Sequence, residues 1–114
     1  MPAKLTLTAN FGTVTKLLLS SIPGKLDAIV FINRNAAVRF GQLHDKATAP
    51  AATNVPVLSL PIPAGTANNP GVLSISRTVL QDFTVGIGWS ISTAESVFTD
   101  AATASEHTVH AWYA

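Results

Sequence analysis

The chain contains no cysteine. Disulfides and thiolate-held metals are therefore outside its chemistry, and its redox compartment stays open. Charge is scarce: Asp, Glu, Lys and Arg make up 11% of the 114 residues, against about 25% in an average domain. No window approaches the roughly 18 apolar residues that a membrane helix needs. The opening MPAKLTLTANFG has no long apolar run behind its lysine, so neither a membrane span nor a secretory signal is expected. Catalytic signatures are missing as well, with no GxSxG elbow, no phosphate-binding glycine loop and no HExxH. The six acids (Asp27, Asp45, Asp82, Glu95, Asp100, Glu106) stand at no spacing that suggests a glycosidase pair or a calcium loop. No enzyme, cofactor or metal is expected.

What fills the space is an ordinary apolar fraction, 47%, together with Thr, Ser, Ala and Asn in place of charge. A free monomer usually keeps more charge for solubility, whereas surfaces that meet other subunits are depleted in it. The composition thus points to a soluble assembly subunit, a single domain over residues 1–114 with enough chain for one core. Net charge is +1. Residues 1–50 hold six of the seven bases and two of the acids, and residues 51–114 the rest, so the halves differ in sign. The bases (Lys4, Lys16, Lys25, Arg34, Arg39, Lys46) are scattered singly, without the stripe that nucleic-acid binding requires.

The stretch around which the chain is organised runs from Val38 to Gly65. It reads as a strand, a long loop braced by Pro50 and Pro56, and a short extended run, Val57–Ile62, that Pro61 confines to a sheet edge or bulge. Before it, Lys4–Thr8 alternates as a half-buried strand, Thr13–Ser20 is β-rich, and Leu26–Asn33 is apolar on both faces. Leu26, Ala28, Val30 and Ile32 share one face and Ile29 and Phe31 the other, as in a central strand covered twice or a strand whose outer face meets a partner. Asn33-Arg34-Asn35 predicts a hairpin to a paired strand over 37–44. Residues 64–71 form a turn cluster, and 72–77 a weaker strand. Phe83–Ile91 reads as one strand with Phe83, Val85, Ile87, Trp89 and Ile91 inward, and with Gly86 and Gly88 leaving the other side bare for a close approach. Residues 92–105 read as a protruding loop with a helical turn, and Glu106–Tyr113 as the last strand. Seven or eight such strands make an all-β antiparallel sandwich, jelly-roll-like, with an immunoglobulin-like order as the alternative.

Among polar residues, His107 and His110 fall on opposite faces of a strand and cannot share a metal, and His44 and Asp45 diverge in the same way. Trp89 belongs to the core. Trp112 and Tyr113, near the end of the last strand, suit a core edge, a subunit contact or a sugar platform.

Two motifs carry a resemblance. Leu43-His44-Asp45-Lys46-Ala47-Thr48-Ala49-Pro50, followed by Pro56-Val57-Leu58-Ser59-Leu60-Pro61-Ile62-Pro63-Ala64-Gly65, resembles a family of small structural proteins of tailed bacteriophages, as do Asn33–Phe40 and the closing Tyr113-Ala114. The match covers roughly residues 25–65 well and 80–114 loosely. His44 stands where that family usually has an aromatic residue, and Gly41 where it has a larger apolar one. The resemblance implies a non-enzymatic virion component, made in the host cytoplasm. Its leading placement is a capsid decoration (cement) protein bound outside the shell of the major capsid protein. A head–tail junction or tail component is a second placement, and a carbohydrate-binding module using Trp112 and Tyr113 is the alternative from another class. The expected partners are the major capsid protein and further copies of the chain, as a dimer or trimer that an exposed Gly86/Gly88 face would suit. Neither nucleic acid nor membrane is expected as a partner. Candidate contacts are Lys46, Thr48, Pro50, Thr53, Pro56, Trp112 and Tyr113, with the N-terminal strand and the 93–105 loop.

Overall fold

The computed structural model describes residues 6–12, 14–76, 82–101 and 103–114. The described residues form nine strands: β1 (Thr6–Phe11), β2 (Lys16–Ser20), β3 (Gly24–Asn33), β4 (Arg39–His44), β5 (Leu58–Ile62), β6 (Gly71–Ser76), β7 (Asp82–Phe83), β8 (Ile87–Ser92) and β9 (His107–Tyr113). A 3-10 turn, Ala104–Glu106, precedes β9. Residues 4, 5, 13 and 77 of the expected strands lie outside the described residues.

The strands make two antiparallel sheets, one ordered β1-β9-β3-β6 with the short β7 also paired to β3, the other β2-β8-β4-β5. Successive strands alternate between the sheets until β4, and the ribbon pairs β1/β9, β2/β8, β3/β6 and β4/β5 wrap around a common core. That is the winding of a jelly roll rather than the immunoglobulin order. Pro61 sits on β5, an edge strand, where a missing backbone donor breaks no ladder.

The core follows from strict alternation. Ile29, Phe31, Ile75, Val109 and Ala111 point inward from the first sheet, and Leu43, Ile62, Ile87, Trp89 and Ile91 from the second. Phe31 meets Trp89 edge to face at 6.3 Å. A Cβ at Gly41 would lie 2.7 Å from the Phe31 ring, so the glycine and the large phenylalanine are matched across the two sheets.

Four expectations are corrected. The Asn33-Arg34-Asn35 turn does not join paired strands, since β3 and β4 belong to different sheets. The fully buried Asn33 instead builds an arch: its amide donates to the carbonyls of Ala37 and Pro63, and its carbonyl accepts from the amide of Asn35. On β3, a bulge between Leu26 and Ala28 turns Leu26 into the core and leaves Ala28, Val30 and Ile32 outside. The expected strand Phe83–Ile91 is broken at residues 84–86, so Phe83 serves the first sheet, Ile87–Ser92 the second, and Val85 is exposed. Residues 92–101 of the expected 92–105 loop do not protrude, and residue 102 lies outside the described residues. The 92–101 stretch lies over the second sheet with Phe98 and Ala101 buried.

Candidate interaction surface

The break at 84–86 is held by the one acid of the DKATAP motif. Asp45 accepts hydrogen bonds from the amides of Thr84, Val85 and Gly86 and from the Thr84 hydroxyl. Desolvation pushes its carboxyl up, but these bonds together outweigh it and hold the group below its usual range. The rest of the motif clamps the same region. Lys46 Nζ donates to Asn54 Oδ1. Pro50 is buried with its ring 3.3 Å from where a Cβ of Gly88 would be, and a Cβ at Gly86 would meet the Lys46 carbonyl at 2.2 Å. The close approach to Gly86 and Gly88 is therefore made by the chain's own 46–50 segment. Both glycines are buried, so they offer no face to another copy, and Pro50 is unavailable as a partner contact.

This loop and the 93–101 segment meet over the outer face of the second sheet. The amide of Thr53 donates to the Phe98 carbonyl, and the amide of Phe98 to the Asn54 carbonyl, with Thr53 held at a left-handed φ of 70°. Beneath them lies a polar row that sequence reading missed: Gln42, His44, Ser90 and Ser92, all buried. Gln42 Nε2 donates towards the carbonyls of Ala94, Glu95 and Val97 and the Ser59 hydroxyl. Ser92 Oγ donates to the carbonyls of Ala94 and Val97 and accepts from the amides of Ala94 and Thr99. Ser90 Oγ donates to Gln42 Oε1, so the 2.8 Å contact between His44 Nε2 and Ser90 Oγ has the histidine as donor.

A serine and a histidine at that distance meet the geometric requirement for a nucleophile and its base. The surroundings rule against that use. Ser90 is fully buried with its proton committed to Gln42, and His44 Nδ1 has no partner to orient it. The alternation of Gln42 with His44 and of Ser90 with Ser92 was the available signal, and it reads as a solvent-facing side until the covering loops are known.

The outer face of the first sheet is the reverse. It presents Leu7, Ala9 and Phe11 from β1, Thr108, His110 and Trp112 from β9, Ala28, Val30 and Ile32 from β3, and Val72, Ser74 and Ser76 from β6. None of these is formally charged. Phe11 is 69% exposed, Leu7 57% and Val72 51%, and no described element packs on them. Phe11 meets His110 edge to face at 5.3 Å, and His110 stacks on Trp112 at 6.4 Å, giving an aromatic ridge across β1 and β9. The Arg34 guanidinium, bonded to Thr108 Oγ1, borders one end.

Trp112 belongs to this ridge, whereas Tyr113 turns inward and packs against the core, so the two form no common sugar platform. Thr48 and Thr53 are exposed, and Lys46 and Pro56 half-buried, on the loop layer at the other side of the sandwich. His107 and His110 point to opposite faces, with His107 buried and donating from Nδ1 to the Thr103 carbonyl. Burial, then the nearby Arg39 and Arg34, lower its pKa against that bond and Glu106. Among the described residues no three His, Asp or Glu side chains gather as a metal set.

Comparison with known proteins returns no match, whether to a family model, a curated protein or a solved structure.

Proposed function

We propose that this chain is a non-enzymatic structural subunit of a tailed-phage particle, a capsid decoration protein that binds the outside of the major capsid protein shell and stabilises it. The observation that carries the reading is an inversion of coverage. Among the described residues, loops cover the polar outer face of one sheet, and none packs on the largely apolar, uncharged outer face of the other. Solvation alone favours the opposite choice, so the bare face has the character of a contact surface. The DKATAP and PVLSLPIPAG resemblance supplies the particle. The jelly roll is compatible with this and equally with lectin-like domains, so the fold by itself does not select the function.

In this reading each copy buries a contact of about 800 Å² per partner, and many copies on one shell add through multivalency. Contacts are apolar and backbone-made, so binding changes little with salt. The test is location and copy number in purified particles, by cryo-electron microscopy with quantitative mass spectrometry. Hundreds of copies over the shell, and shells that lose resistance to heat without them, support decoration. A handful at one vertex moves the protein to the neck or tail. Absence from particles defeats the virion reading, and glycan binding lost on Trp112→Ala brings the sugar-binding module forward.

A further inference from the structure

We infer that the bare face of the first sheet is covered by a second copy of this chain, in a two-fold contact of sheet on sheet. The inference deepens the decoration reading and rests on it for the biological setting, though not for the association itself. The argument begins with charge. An isologous contact sets the same patch against itself, so every formal charge near the axis meets its own image. The twelve outward positions from Leu7 to Trp112 carry no Lys, Arg, Asp or Glu, and the Arg34 guanidinium, which borders them, lies at an end where it is engaged by Thr108. Such a face meets its own copy without like-charge repulsion, while it offers a differently charged partner nothing to recognise.

Size sets how strong such a contact can be. Four neighbouring strands of about six residues make a face about 20 Å long and about 19 Å wide, close to 400 Å² in plan. This lies within the roughly 300–600 Å² of the largest apolar patches on monomers and below the ~800 Å² per partner of a standard stable interface. The dimer expected from a face this small is a weak one, populated at high concentration. The aromatic ridge of Phe11, His110 and Trp112 supplies the anchoring groups that such contacts favour. Twisted sheets stacked face to face settle about 10 Å apart with strands near −30°. The dimer would then carry one loop layer on each of its two opposite sides, so that one of them at a time faces a shell.

Sedimentation velocity of the isolated full chain, from low micromolar to near-millimolar concentration, tests this. The expected result is a monomer–dimer equilibrium that Phe11→Lys and Val72→Lys each weaken at least tenfold. Both side chains are largely exposed, and a circular dichroism melt verifies that the variants stay folded. Val55→Lys, equally exposed but in the loop layer, leaves the dimer intact. A strictly monomeric wild type overturns the inference, as does a dimer that survives both face variants or is broken by Val55→Lys. A monomer that still occupies particles, and loses occupancy on Phe11→Lys, assigns the face to the shell protein, overturning the second copy while the decoration reading stands.

Discussion

His44 makes the fold sensitive to acid in a way that can be worked out beforehand. Its ring is buried between the second sheet and Phe98, 6.2 Å from that ring, with Nε2–H donating to Ser90 and Nδ1 facing no acceptor. Burial first, then the positive charge of Lys46, lower its pKa from 6.5 to about 4. In the unfolded chain the group titrates at its ordinary value. Between the two values the unfolded state binds the additional proton, so stability is complete above the unfolded pKa and declines as pH falls towards the folded one. Two-state linkage with these values gives a loss of about 2 kcal/mol at pH 5 and about 3 kcal/mol at pH 4, relative to neutral pH. Below the folded pKa the native form also takes the proton, and this group adds nothing further.

The assay is urea unfolding followed by tryptophan fluorescence at a series of pH values, for wild type and for His44→Phe. Phenylalanine keeps an aromatic ring against Phe98 and cannot titrate. It removes one donor from Ser90, whose hydroxyl remains bonded to Gln42. The variant is expected to lose about 2 kcal/mol less than wild type between neutral pH and pH 5. Residual acid sensitivity in the variant belongs to His107, whose pKa is also lowered, chiefly by burial, and at lower pH to Asp45, whose carboxyl is held below its usual range. Parallel stability–pH curves for the two proteins would refute the reasoning, because they would mean that His44 takes its proton equally well folded and unfolded.

Three further outcomes follow from the clamp around residues 84–88. Gly86→Ala places a Cβ 2.2 Å from the Lys46 carbonyl and 2.7 Å from that of Ser20, both backbone, and is expected to cost about 3 kcal/mol in denaturant unfolding. Asp45→Ala removes the acceptor of three amides at the β7–β8 break, of which only that of Gly86 belongs to a buried residue, lowering stability by about 1 kcal/mol, with faster hydrogen exchange at residues 84–86 as the local readout. Phe98→Ala empties the contact beneath the two loops and should cost about 3–4 kcal/mol, exposing Gln42 and Ser90 to exchange while the core around Phe31 and Trp89 stays protected.

Strand-level pattern was legible in the sequence wherever a side chain answers only to its own sheet. The alternation of Ile87, Trp89 and Ile91 found the core, and Pro61 found an edge. What stayed hidden depended on segments distant in sequence. Phe83–Ile91 has unbroken alternation, and only an acid some forty residues earlier, Asp45, reveals the break by drawing three amides out of the ladder. The Leu26/Ala28 bulge has no local signal, since Leu26 is apolar on either face. Gln42, His44, Ser90 and Ser92 alternate as a solvated row would. Their burial comes from loops whose Ala, Thr and Ser content gave no hint of lying down. Of the expected contacts, Trp112 and the N-terminal strand, through Leu7 and Phe11, reached the bare face.

Within DKATAP the residues divide by what the fold asks of them, and the division supports one more prediction. Asp45 holds the strand break, Lys46 bonds Asn54, and Pro50 fills the space over Gly88. Ala47, Thr48 and Ala49 between them are exposed. Substitution there costs little stability, since surface changes away from caps and packing stay within about 0.5 kcal/mol. If the loop layer meets the shell, Thr48→Glu sets a charge into an apolar contact and should reduce occupancy on particles roughly tenfold or more, with the melting temperature unchanged. Asp45→Ala should instead lower occupancy only in step with its loss of fold, so that stabilising conditions restore it. Competition between labelled wild type and each variant for stripped particles separates the two. Full occupancy by folded Thr48→Glu would remove residues 47–49 from the contact and leave DKATAP as a device of the fold alone.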